Sequence, residues 1–422
     1  MKRVLLIATT TGYQLRSFGE AARAVGATLM LATDRCDQLD DPWSDRAIPV
    51  RFGGEPDSLA AAIAACSRER PDAIVAVGDR PAVLAAHLTA ALGLEGNPVA
   101  AAARSRNKLQ AREAFLRAGL PTPDFTVVSL HDDPVLLPSQ AVYPAVLKPL
   151  ALSGSRGVMR VNDSAEFADA FGRLRTLMMS PDIRIEREAA HDAALIESFI
   201  PGVEFAIEGV LTRGDFQPFA IFDKPDPLDG PFFEESIYLT PSRQPVAVQE
   251  AIVSAVAHAA RALGLRHGPI HAECRVNPSG VYVLEVAARP IGGLCARALR
   301  FERVSAAPGL VSFEEVLLRH ALGEDVRAYW REPAASGVMM IPIPQRGVFR
   351  GVDGVDAARG VANIDEVRIT AKEDTILVPL PEGHSYLGFI FAHANETTTV
   401  ERALRDAHAQ LRFAIEREVP VL

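Results

Sequence analysis

Two glutamates stand in an otherwise mostly apolar stretch, HAECRVNPSGVYVLEVAARP, from His271 to Pro290. The segment Asn277-Pro278-Ser279-Gly280 predicts a three-residue hairpin loop, because proline suits the first central position of a type I turn and glycine the left-handed position after it. That loop pairs Asn277 with Val281 and sets Glu273 directly opposite Glu285. Facing side chains lie roughly 5 Å apart on one side of a sheet, and like charges so placed repel.

A divalent cation would remove this repulsion, because Mg²⁺ prefers oxygen ligands from one or two carboxylates plus substrate phosphates. Two other interpretations stay open on the hairpin alone. In one, Glu273 pairs with an arginine while Glu285 is solvated. In the other, a two-residue loop puts the two acids on opposite faces of the sheet.

The stretch YPAVLKPLALSGSRGV, Tyr143 to Val158, has the composition of a phosphate site. An apolar strand ends in Lys148, and the small residues Ser153-Gly154-Ser155-Arg156-Gly157 follow as a loop. Backbone N–H groups of such a loop approach an anion closely, and the lysine supplies a point charge. A flexible hairpin turn is the alternative. A Walker A motif, GxxxxGK[ST], is absent from the sequence.

The stretch LIESFIPGVEFAIEGVL places Glu197 at the end of one apolar strand and Glu204 at the start of the next, with Pro201-Gly202 as the bend. A glutamate at such a crossing can accept hydrogen bonds from an adenine amino group or from ribose hydroxyls. A solvated strand end is the commoner position for glutamate, and it stays open here.

Composition narrows the class of protein. At 422 residues the chain should divide into two to four domains, and its net charge of −9 argues against nucleic acid as the main partner. The four scattered cysteines, which include Cys36, form no CxxC pair and fit a reducing cytoplasm. The apolar run near Met1 is shorter than that of a signal peptide, so we expect none, and no segment reaches the roughly 18 apolar residues of a membrane span.

The elements that must position these residues follow from hydrophobic periodicity. RVLLIATTT, ATLMLATD and DAIVAVGD predict parallel strands that alternate with helices, which indicates a doubly wound parallel sheet over residues 1–97. The first turn, Thr9 to Tyr13, lacks GxGxxG. One long helix is predicted from Pro98 to Gly119, then mixed strands and helices of α+β type. A further helix is predicted for Val246–Leu263, and a last one for TVERALRDAHAQLRFAIERE, Thr399 to Glu418.

These motifs and their order along the chain resemble those of the ATP-grasp superfamily. The order is a lysine on a helix, a lysine before a small-residue loop, a glutamate hinge, and two glutamates followed by an arginine. The resemblance implies an α/β and α+β fold with a pre-ATP-grasp domain (1–97), an ATP-grasp domain (98–325, with a small lid subdomain at about 121–200) and a C-terminal α+β domain (326–422).

By position in the motifs, the resemblance assigns roles to individual residues. Lys108 and Lys148 would hold the α- and β-phosphates of ATP, and the loop Ser153, Gly154, Ser155 and Gly157 would cover the phosphates. Glu197 and the backbone near Ile200 would meet the adenine edge, and Glu204 the ribose. Glu273 and Glu285 would bind Mg²⁺ or Mn²⁺, and Arg289 would meet the γ-phosphate and the reacting carboxylate.

One position departs from the superfamily pattern E-x-N-x-R, because Ala287 replaces the asparagine and cannot coordinate a metal. The number of metal ions therefore stays open. The runs HAECRV and EVAARPIGG, together with the C-terminal region, are most similar to the L-amino-acid ligase type of carboxylate–amine ligase.

This resemblance implies an acyl phosphate formed from ATP and an amino-acid-like carboxylate, which an amine then attacks. A carboxylase or formyl transferase acting on a nucleotide-pathway amine, and a non-catalytic nucleotide sensor, are the alternatives.

The sequence contains weaker evidence about which residues would bind the substrates. The long loop Phe222 to Ser242 carries Lys224, Glu234 and Glu235, and predicts either a substrate lid or a solvated loop. His271 shares a strand face with Glu273, and it is either a proton acceptor for the amine or a hydrogen-bonded structural histidine. The expected partners are small-molecule substrates, without nucleic acid or membrane, in a cytoplasmic enzyme. A homodimer is the commonest soluble assembly.

Overall fold

The computed structural model describes residues 1–9, 14–34, 47–52, 56–134, 136–304 and 309–417. The predicted first turn therefore lies outside the described residues except for Thr9, and so does Cys36. The other three cysteines, Cys66, Cys274 and Cys295, are buried and free.

The N-terminal region is an all-parallel sheet, as the sequence predicts, because its strands are nearly continuous apolar runs that are buried on both faces. Its strand order is β3-β2-β1-β4. Its elements are β1 (Lys2–Ala8), α1 (Leu15–Ala24), β2 (Ala27–Thr33), β3 (Ile48–Pro49), α2 (Pro56–Arg68), β4 (Ala73–Val77) and α3 (Asp79–Leu92).

The predicted long helix from Pro98 to Gly119 is wrong, because the structure has two helices there, α4 (Val99–Arg106) and α5 (Lys108–Arg117). Asn107 separates them with extended backbone angles, and its side chain accepts a hydrogen bond from the backbone N–H of Gln110. Asparagine favours such an N-cap because its oxygen satisfies a backbone donor that has no partner within the helix. The break places Lys108 at the first position of α5 instead of in mid-helix.

A second sheet is antiparallel, with the order β5-β8-β6-β7. Its elements are β5 (Phe125–Ser129), β6 (Ala145–Pro149), β7 (Met159–Val161), α6 (Ser164–Met178), α7 (Pro181–Arg184) and β8 (Ala193–Ser198). Helix α6 covers one face of this sheet with Phe167, Phe171 and Leu174, all fully buried.

The third sheet has eight antiparallel strands in the order β13-β12-β9-β10-β11-β17-β21-β19. Its first strands are β9 (Val203–Thr212), β10 (Asp215–Asp223), β11 (Ile237–Thr240), β12 (Gly268–Asn277) and β13 (Gly280–Ala287), and helix α8 (Val246–Leu263) lies between β11 and β12 in sequence. Its other strands, β17, β19 and β21, come from the C-terminal region. This central sheet therefore continues across the boundary predicted at residue 325, and the domain limits stay a prediction.

The remaining elements form the two small sheets, β15-β14-β16 and β20-β18-β22, and the end of the central sheet. They are β14 (Arg300–Arg303), β15 (Leu310–Ser312), α9 (Phe313–Ala321), β16 (Tyr329–Arg331), β17 (Ala335–Ile341), β18 (Gly347–Asp353), α10 (Val355–Arg359), β19 (Ile364–Ile369), β20 (Ile376–Leu377), β21 (Gly388–Ala394), α11 (Thr397–His408) and β22 (Arg412–Glu416).

In the hairpin of β12 and β13 the predicted loop length is wrong, but the predicted pairing of Glu273 with Glu285 is present. The loop has two residues, not three, because Asn277 pairs with Gly280. Continued without interruption, that register would set Glu273 opposite Leu284. A β-bulge at Leu284 shifts the register by one residue and restores the pairing of Glu273 with Glu285.

The last predicted helix is too long. Helix α11 ends at His408, and the residues from Arg412 to Glu416 form β22, which pairs with β18. The side chains of β22 alternate between exposed and half-buried, which is the period-two pattern of an edge strand rather than of a helix.

Helix α8 is, among the described residues, the one helix whose length and composition would allow a membrane span. Such a match is weak evidence, because core helices of folded proteins meet the same criteria. Here Ile252, Val256 and Leu263 are fully buried and pack against the central sheet in one hydrophobic cluster.

Replacing Asn107 with alanine should lower the free energy of unfolding by about 1 kcal/mol, because the start of α5 loses its N-cap. Urea denaturation of wild type, Asn107→Ala and Asn107→Ser measures this loss, and the serine variant should retain most of the stability. The same loss is expected for Asp163→Ala, which removes the N-cap of α6. Equal stabilities of wild type and Asn107→Ala would contradict the assignment of Asn107 as a cap.

Candidate active site

One face of the central sheet carries a ladder of polar side chains. On β9, Glu204 and Glu208 share a face because side chains repeat every two residues along a strand. On β12 their cross-strand partners are Arg275 for Glu204 and His271 for Glu208. Glu273 lies between those two partners and faces Ala206 on β9 and Glu285 on β13. Because side chains alternate between the two faces along each strand, these acidic and basic residues lie on the same side of the sheet.

Glu204 is fixed by two cations. Its Oε2 accepts from Arg275 Nε at 2.9 Å, and its Oε1 from Lys224 Nζ at 2.8 Å. Arg275 also donates to the backbone oxygen of Ile200 at 2.8 Å, which ties β12 to the bend after β8. That bend needs glycine at 202, because a Cβ there would lie 2.4 Å from the Val276 oxygen. The arginine therefore holds the hinge and the acid in one arrangement.

Lys224 is buried among three carboxylates. Its ammonium lies 2.8 Å from Glu204 Oε1, 2.8 Å from Glu273 Oε1 and in contact with Glu235. Burial alone would lower the pKa of Lys224, but the three acids raise it well above its ordinary value. Burial and the charge of Glu273 raise the pKa of Glu235 to about 8. The solvated-loop alternative for residue 224 is thereby removed, since a lysine with 5% exposure is not in solvent.

His271 forms a buried pair with Glu208, a residue that is fully inaccessible to solvent. Burial would lower the pKa of His271, but the Glu208 carboxylate raises it to about 10. The other oxygen of Glu208 accepts from the backbone N–H of Ile291 at 3.0 Å. Glu208 therefore positions both the histidine and the segment that follows Arg289.

Glu197 joins two cations that come from different parts of the chain. Lys148 Nζ donates to Glu197 Oε2 at 2.6 Å, and Arg112 Nε donates to Glu197 Oε1 at 2.6 Å. Burial would raise the pKa of Glu197, but Arg112 and Lys148 lower it to about 2. For Lys148 burial dominates, and its pKa falls to about 8. Glu197 therefore fixes the positions of both cations at the end of β8.

Lys108 and Glu285 lie close to each other. Lys108 Nζ donates to the Leu152 oxygen at 2.6 Å and lies 3.9 Å from Glu285 Oε2. The backbone N–H of Lys108 donates to the Leu150 oxygen at 2.8 Å, so the start of α5 is attached to the small-residue loop. The lysine thus connects the loop predicted to cover phosphates with one of the two facing acids.

Arg289 is paired with an acid of the N-terminal region. Its Nε donates to Asp79 Oδ1 at 2.9 Å, and Asp79 is the first residue of α3. Burial would raise the pKa of Asp79, but the Arg289 charge lowers it below its ordinary value. The sequence analysis missed Asp79, because 210 residues separate it from Arg289.

The small-residue loop is held by the C-terminal region. Gly154, Ser155 and Gly157 adopt positive φ angles of 64°, 54° and 75°. The backbone N–H of Gly157 donates to the Pro381 oxygen at 2.7 Å. Arg156 Nε donates to the Glu382 oxygen at 2.8 Å. The glycine at 157 therefore contacts protein rather than the open cavity.

A cavity of about 530 Å³ brings these residues together. It is lined by residues of the N-terminal sheet region, both larger sheets and the C-terminal region. Of the predicted site residues, the lining includes Lys108, Lys148, Ser153, Gly154, Ser155, Glu197, Ile200, Glu204, His271, Glu273, Glu285 and Arg289. Gly157 is not part of the lining. The volume suits a small-molecule or cofactor site.

The residues that sequence reasoning missed are the partners of the predicted ones: Asp79, Arg112, Glu208, Arg275 and Gln14. Two of them left a signal in the sequence. Glu208 in EFAIEGV and Arg275 in HAECR fall in the same period-two alternation as Glu204 and Glu273. No sequence pattern indicated a role for Arg112 or Asp79, because both lie in helices at positions that resemble those of ordinary surface charges.

The geometry can be compared with known proteins. Residues 141–298 match the ATP-grasp domain family, and residues 339–416 match the L-amino acid ligase C-terminal domain 2. The D-alanine–D-alanine ligase of Gloeobacter violaceus is 31% identical over 242 residues, which are 54% of this chain and 72% of that protein. The chain belongs to the ATP-grasp superfamily.

Two further relatives refine this placement. The alanine–anticapsin ligase of Bacillus subtilis is 30% identical to the ATP-grasp chain over 199 residues, 44% of the chain. The chain covers only 41% of the length of that ligase. The crystal structure of L-amino acid ligase from Bacillus licheniformis is similar over 99% of both chains, with 25% identity and a TM-score of 0.81. These matches confirm the resemblance to the L-amino-acid ligase type.

Other solved structures share the fold alone. Carboxyaminoimidazole ribonucleotide synthase from Aspergillus clavatus, complexed with ATP, has a TM-score of 0.68 at 16% identity, and the match covers 96% of this chain and 99% of that one. The fold class predicted from the sequence, with a parallel N-terminal sheet before an ATP-grasp domain, is confirmed.

The residues present fit a divalent cation in this ATP-grasp chain. Glu273 and Glu285 face each other and both line the cavity. Glu204 and Glu235 add carboxylate oxygens that lie within 4.8 Å of one of Glu273. Ala287 offers no side-chain oxygen, so Glu204 and Glu235 are the nearby acids that could replace the missing asparagine.

The His271–Glu208 pair predicts a pH dependence of stability. The folded-state pKa of His271, about 10, lies above the unfolded value of about 6.5. Its contribution is therefore full below about pH 6.5, decreases above that value and is gone above about pH 10. We expect the free energy of unfolding of wild type to fall between pH 7 and pH 10 by more than that of Glu208→Gln.

Urea denaturation at several pH values measures this difference. His258→Gln is the matched control, because this histidine is exposed on α8 and its variant should follow the wild-type curve. Parallel pH curves for wild type and Glu208→Gln would show that the pair is not ionic in the folded protein.

Proposed function

We propose that this protein is an ATP-dependent carboxylate–amine ligase that joins an amino-acid-like carboxylate to an amine and releases ADP and phosphate. The observation that carries the proposal is the convergence, in one cavity, of three cations and two facing acids. The cations are Lys108, Lys148 and Arg289, and the acids are Glu273 and Glu285. Proteins of the ATP-grasp superfamily bind ATP, and this set of charges suits the transfer of a phosphoryl group.

The nucleotide end of the cavity is assigned to the strands β6 and β8 and the loop between β6 and β7. Lys148 and Lys108 supply positive charge for the α- and β-phosphates. Ser153, Gly154 and Ser155 allow close backbone approach to phosphate oxygens. The bend near Ile200 offers main-chain groups to the adenine edge, and Glu204 offers a carboxylate to the ribose hydroxyls.

The first chemical step is attack of a carboxylate oxygen on the γ-phosphorus of ATP. The bond between that phosphorus and the ADP oxygen breaks, and an acyl phosphate forms. Catalysis of such a transfer rests on positioning and charge stabilisation. Arg289 supplies a fixed positive charge for the phosphoryl oxygens, because Asp79 and the Pro290 oxygen orient its guanidinium group.

In the second step the amine nitrogen attacks the acyl carbon, the bond from that carbon to the phosphate oxygen breaks, and the departing phosphate takes up the proton that the nitrogen loses. His271 is protonated at neutral pH when its pKa is about 10, so in this state it cannot accept that proton. Its contact with Glu208 supports the hydrogen-bonded, positioning interpretation of this residue over that of a proton acceptor.

Glu273 and Glu285 would hold Mg²⁺ or Mn²⁺, which neutralises charge on the phosphoryl oxygens of ATP when bound. Without the ion, Lys224 compensates Glu273 and Lys108 compensates Glu285. The two lysines thereby reduce the repulsion between the facing acids, and a bound divalent cation would do the same.

The alternative, a carboxylase or formyl transferase of the nucleotide pathway, has less support. The L-amino acid ligase structure covers the chain at a TM-score of 0.81, against 0.68 for the carboxyaminoimidazole ribonucleotide synthase. The C-terminal match, over residues 339–416, is also to the L-amino acid ligase type. Small-molecule substrates, a cytoplasmic location and a homodimeric state belong to the same proposal. The three free buried cysteines agree with a reducing compartment.

A screen for ADP release tests the function. Purified protein with ATP and Mg²⁺ should release ADP when pairs of amino acids are added. Release that requires bicarbonate or formate would support the alternative instead. No release with any of these additions would contradict both and favour a nucleotide sensor.

Glu285→Gln tests the metal site separately. We expect turnover to fall by at least a hundredfold, because removing one acid lowers the charge that holds the ion. Binding of Mn²⁺, followed by electron paramagnetic resonance in the presence of ADP, should weaken in the same variant. Glu302→Gln is the control, since Glu302 is exposed on β14, and it should change neither quantity. Unchanged Mn²⁺ binding in Glu285→Gln would remove Glu285 from the site.

A further inference from the structure

Gln14 is a buried polar residue that none of the predicted roles uses. It immediately precedes α1, it is only 4% exposed, and it lines the same cavity as Arg289. It comes from the N-terminal region, whereas the acids and cations of the nucleotide end come from the sheets that follow. Its position therefore brings a side chain of the first region to the substrate end of the site.

The orientation of the Gln14 amide is fixed by its neighbours. Nε2 donates to the Ile291 oxygen at 2.6 Å and to the Gly293 oxygen at 3.2 Å. Both neighbours are carbonyl oxygens, which only accept hydrogen bonds, so the amide nitrogen and not the oxygen must face them. The rest of the turn is held from the other side, where Glu208 accepts from the Ile291 N–H.

This orientation leaves the Oε1 atom of Gln14 without a donor. The atom is buried and has no hydrogen-bond partner among the residues that the structure describes. Leaving a buried acceptor unpaired costs about 1–3 kcal/mol. Because the side chain lines an open cavity, a donor on a bound small molecule is the direct way to satisfy it.

The chemistry of the reaction limits which donor this is. Phosphate oxygens and carboxylate oxygens only accept, so neither ATP phosphates nor the reacting carboxylate can pair with Oε1. ATP also carries donors, the adenine amino group and the ribose hydroxyls, but the proposed function places these at the bend near Ile200 and at Glu204. The remaining donor in a carboxylate–amine ligase is the amine or ammonium of an amino acid. Arg289, which the proposed function assigns to the reacting carboxylate, lies only two residues before Ile291, where Gln14 is attached.

We propose that Gln14 is a substrate-binding residue whose Oε1 accepts a hydrogen bond from an N–H group of an amino-acid substrate, close to the turn from Ile291 to Gly293. The inference rests on the proposed function for the identity of the ligand. The N–H group belongs either to the ammonium of the amino acid that is phosphorylated or to the amine that attacks, and kinetics with each substrate varied in turn distinguishes the two.

Two variants separate the acceptor from the contacts that hold the turn. Gln14→Met removes both the Oε1 acceptor and the Nε2 donor. Gln14→Lys keeps a donor for the two carbonyl oxygens but has no acceptor. Gln217→Met is the matched control, because Gln217 also donates its Nε2 to a backbone oxygen, that of Val326, away from the cavity.

With the amino-acid pair that gives the fastest ADP release, both Gln14 variants should raise the KM of one amino acid by roughly tenfold or more, because a hydrogen bond to a charged group contributes that much. The KM of ATP and the midpoint of urea unfolding should stay near those of Gln217→Met. If Gln14→Lys keeps the wild-type KM while Gln14→Met does not, Gln14 only supports the turn and the proposal is overturned. It is also overturned if the KM of ATP and that of the amino acid rise together.

A binding measurement covers the case in which wild type releases no ADP with any pair. Calorimetric titration with the twenty protein amino acids and with ethylammonium then probes the subsite directly. Binding to wild type that is lost in both Gln14 variants would support the subsite while the ligase function fails. Absence of binding, or equal binding to all variants, would reject the subsite as well.

Discussion

Burying carboxylates is the constraint on which the rest of this structure depends. An unpaired ion in a protein interior costs several kcal/mol, so each acid buried beside the cavity requires a cation nearby. Glu197 has Arg112 and Lys148, Glu204 has Arg275 and Lys224, and Glu208 has His271. The pairs fix the side chains before any ligand is bound. Such preorganised charge is what phosphoryl transfer needs from a protein.

The same pairs connect parts of the chain that are distant in sequence. Asp79 holds Arg289 from the N-terminal region, and Gln14 and Glu208 hold the turn after it from two sides. From the C-terminal region, Glu382 forms a bidentate pair with Arg173 of α6, with donor–acceptor distances of 2.9 and 3.0 Å. The walls of the cavity are therefore joined by contacts between regions that are distant in sequence.

Lys224 also compensates the charge of the acids that are predicted to bind a metal. Its ammonium lies among the acids that a divalent cation would contact, so the acids are compensated when no metal is present. A buried lysine with three acidic neighbours keeps its charge firmly. A divalent cation held by these acids would have to replace or share that contact.

The sequence by itself determined the elements whose evidence is local. Apolar runs in RVLLIA and DAIVAV specify parallel strands, and the period of two in β9 and β12 specifies which acids share a face. The order of Lys108, Lys148, Glu197, Glu273 and Arg289 was enough to indicate the superfamily. Where the local signal was weak, the prediction failed. A single asparagine divided one helix into two, and an alternating edge strand was taken as the end of a helix.

Only the tertiary structure decided which charges meet. Arg112 reaches Glu197 across 85 residues, and Arg289 reaches Asp79 across 210. No spacing in the sequence encodes such a contact, because it depends on how helices and sheets pack. The facing of Glu273 and Glu285 is the instructive case. It was predicted from a loop of the wrong length, and it exists because one bulged residue, Leu284, shifts the register between the turn and the acids.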